Sequence, residues 1–186
     1  MKNITKILSA ALLLAFAAGA HAQSSYDQLA KEIAEAGAGL SNKKIAIIPF
    51  SYADGRVAAK DGAIISEKIT MRMIKLQQFE IIERSVLDKV MAELKLQSSG
   101  AMDATSTKEL GKLLGVEAIV TGTLVEMQAG KIEVNARLIK TETAQAIGAS
   151  QVTVEKDWIG GDAASAPQPA PAQQPAYGRQ APAQPV

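Results

Sequence analysis

AIVTGTLVEMQAGKIEVNARLIKTETAQAIGASQVTVE, residues Ala118 to Glu155, is the stretch on which the fold turns. Apolar residues alternate with polar or small ones over three runs joined by short turns, the period of two that a strand imposes because successive side chains point to opposite faces. In the middle run Ile132, Val134, Ala136 and Leu138 share one face, and Lys131, Glu133, Asn135 and Arg137 share the other. The same alternation would serve a transmembrane barrel or a soluble sheet. Two observations favour the sheet. The lipid-facing band of a barrel is flanked by aromatic girdles, and no aromatic residue stands between Phe79 and Trp158. Three strands also cannot close on themselves, and an open edge in lipid leaves costly unsatisfied backbone groups. The apolar set is therefore expected to face helices, with the polar set hydrated on the other side.

Those helices should come from the preceding segments. YDQLAKEIAEA carries Leu29 and Ile33 at helical spacing and is stopped by Gly37 and Gly39. KKIAIIPF, Lys43 to Phe50, is a nearly continuous apolar run that suits a strand covered on both faces, ended by Pro49. SYADGRVAAKDG reads as a loop leading to a helix with Ile65, Ile69, Met73 and Leu76 on one stripe. FEIIER is expected to be a second strand, parallel to the first through that crossover helix. Ser85 is in place to cap SVLDKVMAELKLQ, with Leu87, Val90, Met91 and Leu94 inward. In ATSTKELGKLLG, Ser106 and Glu109 have capping-box spacing, Leu110, Leu113 and Leu114 point inward, and Gly115 ends the helix. The expected fold class is α/β: a single domain with a mixed β-sheet of about five strands, the last three antiparallel, packed against helices.

Both ends of the chain differ from this middle. MKNITKILSAALLLAFAAGAHA has two lysines, an apolar run from Ile7 to Ala20 and an Ala-His-Ala site, a secretory signal with cleavage expected between Ala22 and Gln23. From Ala163 the chain holds six of its seven prolines and has too few large apolar groups to offset its ordering entropy. Extended, it would span on the order of 70 Å, and Tyr177 and Arg179 are its candidate anchors. The expected organisation is a signal at 1–22, one exported domain at 23–162 and a disordered Pro/Ala/Gln-rich tail at 163–186.

Composition narrows the function. The 186 residues contain no cysteine and one histidine, His21, which leaves with the signal. The mature chain thus lacks disulfides, a lipid acceptor, the commonest general base and the strongest nucleophile. Losing Lys2 and Lys6 leaves 18 basic against 19 acidic residues, without the excess of a nucleic-acid binder. No nucleophile elbow, phosphate loop or zinc spacing is present. Asp54 and Asp61 follow the first strand, where open α/β sheets tend to bind ligands. Both read more simply as a turn-forming acid and a helix cap. Glu83 and Arg84 read as a strand-end pair beside the Ser85 cap. Trp158 is expected to close the core, with an exposed interface anchor as the alternative. No catalytic, cofactor-binding or metal residue is assigned.

Taken together, KKIAIIPF, IIERSVLDKV, LGKLLGVEAIVTGTL and EVNARLIKTETAQAI, between about Lys43 and Val154, resemble the envelope domain shared by the curli secretion channel (CsgG-like) and flagellar outer-membrane protein (FlgO-like) families. More distantly the chain resembles the lipoprotein activators of cell-wall synthases. The resemblance implies a non-enzymatic periplasmic domain that assembles with itself or docks onto an envelope machine, with peripheral association to the outer membrane or peptidoglycan; the runner-up is a periplasmic binding or regulatory module. Three departures limit it. Curli-type channels are lipoproteins and insert long membrane hairpins, whereas this chain has no cysteine near Gln23 and tight connections at Met127 to Lys131 and Lys140 to Gln145. A transmembrane strand needs about nine to eleven residues. The family's glycine after the Glu-Thr pair is replaced by Ala144.

Overall fold

The computed structural model describes residues 25–94, 96 and 102–160. Helix α1 (25–36) opens the domain. It is followed by β1 (Lys44–Ile47), β2 (Ser51–Tyr52), α2 (Ala59–Leu76), β3 (Glu80–Ile81), α3 (Arg84–Glu93) and α4 (Ala104–Leu114). Strands β4 (Ala118–Glu126), β5 (Lys131–Lys140) and β6 (Ala146–Glu155) complete it. The sheet runs β3-β1-β4-β5-β6, with β2 also on β4. Pairing among β1, β2, β3 and β4 is parallel, and β4-β5-β6 is antiparallel. This is the expected mixed α/β fold, with one strand more than expected: after Pro49 the backbone regains the edge of β4 for Ser51 and Tyr52, inside the segment read as a loop.

The continuous apolar run of β1 has the predicted cause. Ile45 and Ile47 enter a core built with α1 and α2, while Ala46 and Ile48 enter a second core with Leu87 and Met91 of α3 and Leu110 and Leu114 of α4. Helices thus cover both faces of the sheet at β1. At β5 only one face is covered: Ile132, Val134, Ala136 and Leu138 are buried in the first core, and Lys131, Glu133, Asn135 and Arg137 lie on the other side, exposed or half-buried. The connection before β5 is a 3-10 turn at Gln128–Gly130. That before β6 is closed by Ala144 N–H to Lys140 C=O, with Ala144 at φ 58°. That left-handed conformation favours glycine, and here alanine adopts it.

Several capping expectations are corrected. Asp61 does not cap α2: the cap position is Ala58, and Asp61 lies in the first turn with its side chain turned into the protein. The cap of α3 is Glu83 rather than Ser85, because the extended backbone ends one residue after Ile82. Arg84 pairs with Asp88 one turn on, not with Glu83. The cap of α4 is Asp103, whose carboxylate accepts from Ser106 N–H at 2.7 Å, so Ser106 receives the cap instead of supplying it. Leu113 is exposed, since the buried face of α4 carries Thr107, Leu110, Gly111 and Leu114. Gly115 ends α4 at φ 64°, as read.

Helix α2 rests directly on the chain after β1. A Cβ at Gly62 would lie 1.9 Å from the Phe50 carbonyl oxygen. Because the obstacle is backbone, relief requires moving the helix. Gly62→Ala is therefore expected to cost ~3 kcal/mol, read as a lowered denaturant midpoint with an unchanged slope.

Candidate functional site

The chemistry-bearing side chains gather where β2, the start of α2 and the ends of β4 and β6 meet. Parallel pairing of β2 with β4 brings Tyr52 beside Leu124, and the first turn of α2 brings Asp61 over the same spot. Asp61 is fully buried. Its Oδ2 accepts from Tyr52 OH at 2.5 Å and Lys156 Nζ at 2.9 Å, and its Oδ1 accepts from Trp158 Nε1 at 2.7 Å. Burial alone pushes this carboxyl up, but the donated hydrogen bonds from Tyr52, Lys156 and Trp158 outweigh it and hold the group below its ordinary value. The Tyr52 hydroxyl is pushed well above its ordinary value, first by burial and then by its bond to the Asp61 carboxylate.

An outer ring of charges surrounds this centre. Arg56 donates to Asp54 and to Glu126, each at 2.7 Å, and stacks over the Tyr52 ring at 4.3 Å. Lys68 binds Asp157 at 2.7 Å and lies 5.4 Å from the Trp158 ring centre. Lys60 donates to the Ile159 carbonyl at 2.7 Å. The cluster therefore ties the segment after β6 to the start of α2. Sequence had placed Asp54 and Asp61 together in one loop; the structure separates them. Asp54 accepts from Arg56 N–H, the turn-forming role expected of it, while Asp61 organises the buried centre. Trp158 is half-buried and packs against the first core. Its indole N–H was the clue to Asp61 that sequence reading missed: a Trp near the end of a domain needs an acceptor.

Chemically the centre is a clamp. A buried carboxylate with both oxygens engaged by Tyr52, Lys156 and Trp158 is not poised to attack or to take up a proton from a substrate. Among the described residues no group of three or more His, Cys, Asp or Glu is placed to hold a metal ion. A shallow depression also lies on the helix-free face, lined by Thr123, Asn135, Arg137, Ala149 and Gln151. Ala22, Gln23, Tyr177 and Arg179 lie outside the described residues.

Comparison with known proteins bears on this arrangement. The family model described as "Curli production assembly/transport component CsgG" matches residues 51–129, from β2 through the turn after β4. Residues 51–129 are CsgG-like. The match takes in Tyr52 and Asp61 of the clamp and Glu126 of the outer ring, and stops before Lys156 and Trp158. No curated protein matches by sequence. Among solved structures, the LpoB C-terminal domain from Salmonella enterica superposes with a TM-score of 0.55 at 11% identity, covering 72% of this chain and 97% of that domain. The LpoB C-terminal domain from Escherichia coli gives 0.56 at 9% identity, covering 72% and 98%. At such identities the likeness is one of fold. No described helix is long and apolar enough to cross a membrane.

Proposed function

We propose that this chain is an exported, non-enzymatic envelope protein that acts by assembling with itself or by docking onto an envelope machine, without forming a pore. The CsgG-like match over 51–129 carries the reading. It is supported by the tight connections on either side of β5, which leave no length for membrane hairpins of about nine to eleven residues per strand, and by a buried carboxylate arranged as a clamp. The absence of cysteine supports a mature form without a lipid anchor, peripheral to the outer membrane or peptidoglycan. Removal of 1–22, a domain at 23–162 and a solvated tail at 163–186 belong to the same proposal, with Tyr177 and Arg179 as the anchors of the tail. Trp158, engaged with Asp61, is assigned to the clamp rather than to a partner.

A second reading is favoured by the superposition on nearly the whole LpoB C-terminal domain: a monomeric periplasmic regulatory module, for example an activator of a cell-wall synthase. Cell fractionation with N-terminal sequencing tests what the two readings share. The expected product begins at Gln23 and is found in the periplasmic or outer-membrane fraction. A cytoplasmic chain that retains Met1 would overturn both.

A further inference from the structure

The two ends of the sheet are unlike. At one end β3 is two residues long, a short edge that offers little to pair with. At the other, β6 runs ten residues, AIGASQVTVE, as the last strand of the sheet. It contains no proline, lysine or arginine, and its one charge, Glu155, stands at its end. A register shift beside Leu138 and Ile139 disturbs only its beginning, so Gly148 to Glu155 is a regular strand. Sheet proteins normally blunt a long edge with charge, proline or cover; this edge has no proline, and no charge before its last residue.

The direction of its backbone groups follows from one bond. Lys156 N–H donates to Gly130 C=O at 2.8 Å, so by the alternation of an antiparallel ladder Val154, Val152 and Ser150 turn their backbone groups to β5. Glu155, Thr153, Gln151 and Ala149 turn theirs outward, and their side chains are exposed on the helix-free face. The chain after β6 does not cover them: Lys68 to Asp157, Asp61 to Trp158 and Lys60 to Ile159 draw residues 157–159 back toward α2.

We propose that β6 of one copy pairs antiparallel with β6 of a second copy about a two-fold axis at Gln151, joining the two sheets. This deepens the self-assembly part of the function proposed above and rests on it. A second copy fits because the strand complements itself in this register. Gln151 meets its own counterpart, Ala149 meets Thr153, and Glu155 meets Ile147, so the two glutamates lie at opposite ends. Parallel in-register pairing would instead set Glu155 against Glu155, which is unfavourable.

Charge placement at Ala149 and Thr153 tests the register. Both are exposed, and within one copy they stand opposite Arg137 and Glu133 on β5. Ala149→Glu with Thr153→Glu opposes like charges across the axis, whereas Ala149→Glu with Thr153→Lys opposes unlike charges. Sedimentation equilibrium of the mature chain should show a dimer for wild type and for the Glu/Lys pair, and at least about tenfold weaker association for the Glu/Glu pair, with circular dichroism unchanged. Because the chain has no cysteine, Gln151→Cys alone gives a second readout. Across the axis its Cα atoms would lie about 5.5 Å apart, within disulfide reach, while those of Thr153→Cys would be ~14 Å apart. Oxidation should crosslink the first variant and not the second. A folded wild-type monomer at every concentration would overturn the pairing, as would equal association of the Glu/Glu and Glu/Lys variants. So would a chain that dimerises only after 163–186 is removed, which would assign the edge to its own tail. Such a monomer, found in the periplasm, would leave the docking reading standing.

Discussion

Val134→Asp is expected to unfold the domain. Val134 is fully buried at the centre of β5, within the core formed with α1 and α2. Its cross-strand partners are Leu124 and Val152, both buried, and neither can satisfy a carboxylate. An unpaired charge there costs on the order of 5 kcal/mol, comparable with the whole stability of many domains. Asn135→Asp, one residue on, inserts the same carboxylate on the helix-free side. It loses the bond from Asn135 Nδ2 to Glu133 at 3.0 Å and places two carboxylates close together, so a loss of about 1 kcal/mol is expected. Circular dichroism and urea titration of both variants check the orientation of the strand. Equal damage from the two would mean that both faces of β5 are buried.

The second large effect is expected at Asp61. Asp61→Ala leaves Tyr52, Lys156 and Trp158 without their common acceptor, and breaking a buried pair by removing one partner costs about 3 kcal/mol or more. Asp61→Asn keeps the shape and an acceptor oxygen but not the charge, and should fall between wild type and alanine. The sign of the pH dependence follows from the carboxyl being held below its ordinary value. Such a group adds stability that is complete above the unfolded-state pKa of about 3.9 and disappears as the pH falls through the lower folded value. Wild type should therefore lose stability below about pH 4 more steeply than Asp61→Asn. Parallel acid-unfolding curves would remove the carboxylate from the account.

The architecture was legible in sequence wherever a repeat distance forced it. The alternation of Ile132 to Leu138 gave the buried face of β5, and the unbroken run at Ile45 to Ile48 gave a strand with a core on each side. What escaped depended on non-local partners. A two-residue strand such as Ser51–Tyr52 has no periodicity and exists only because β4 is beside it. Asp61 precedes Gly62 at what looked like a helix start, but α2 begins two residues earlier, which rotates the carboxylate into the protein toward partners 9 and 97 positions away, Tyr52 and Trp158. The caps at Glu83 and Asp103 were displaced by two and three residues from the residues chosen, Ser85 and Ser106. Local composition marks a helix start only to within part of a turn.

The central claim, that Ala118 to Glu155 forms one wall of a soluble docking domain rather than of a channel, is tested most directly by purifying the mature chain without detergent and recording conductance across planar bilayers. The account predicts a protein that stays in solution and produces no channels as monomer or oligomer. A requirement for detergent, together with reproducible channels that substitutions between Ala118 and Glu155 abolish, would contradict it.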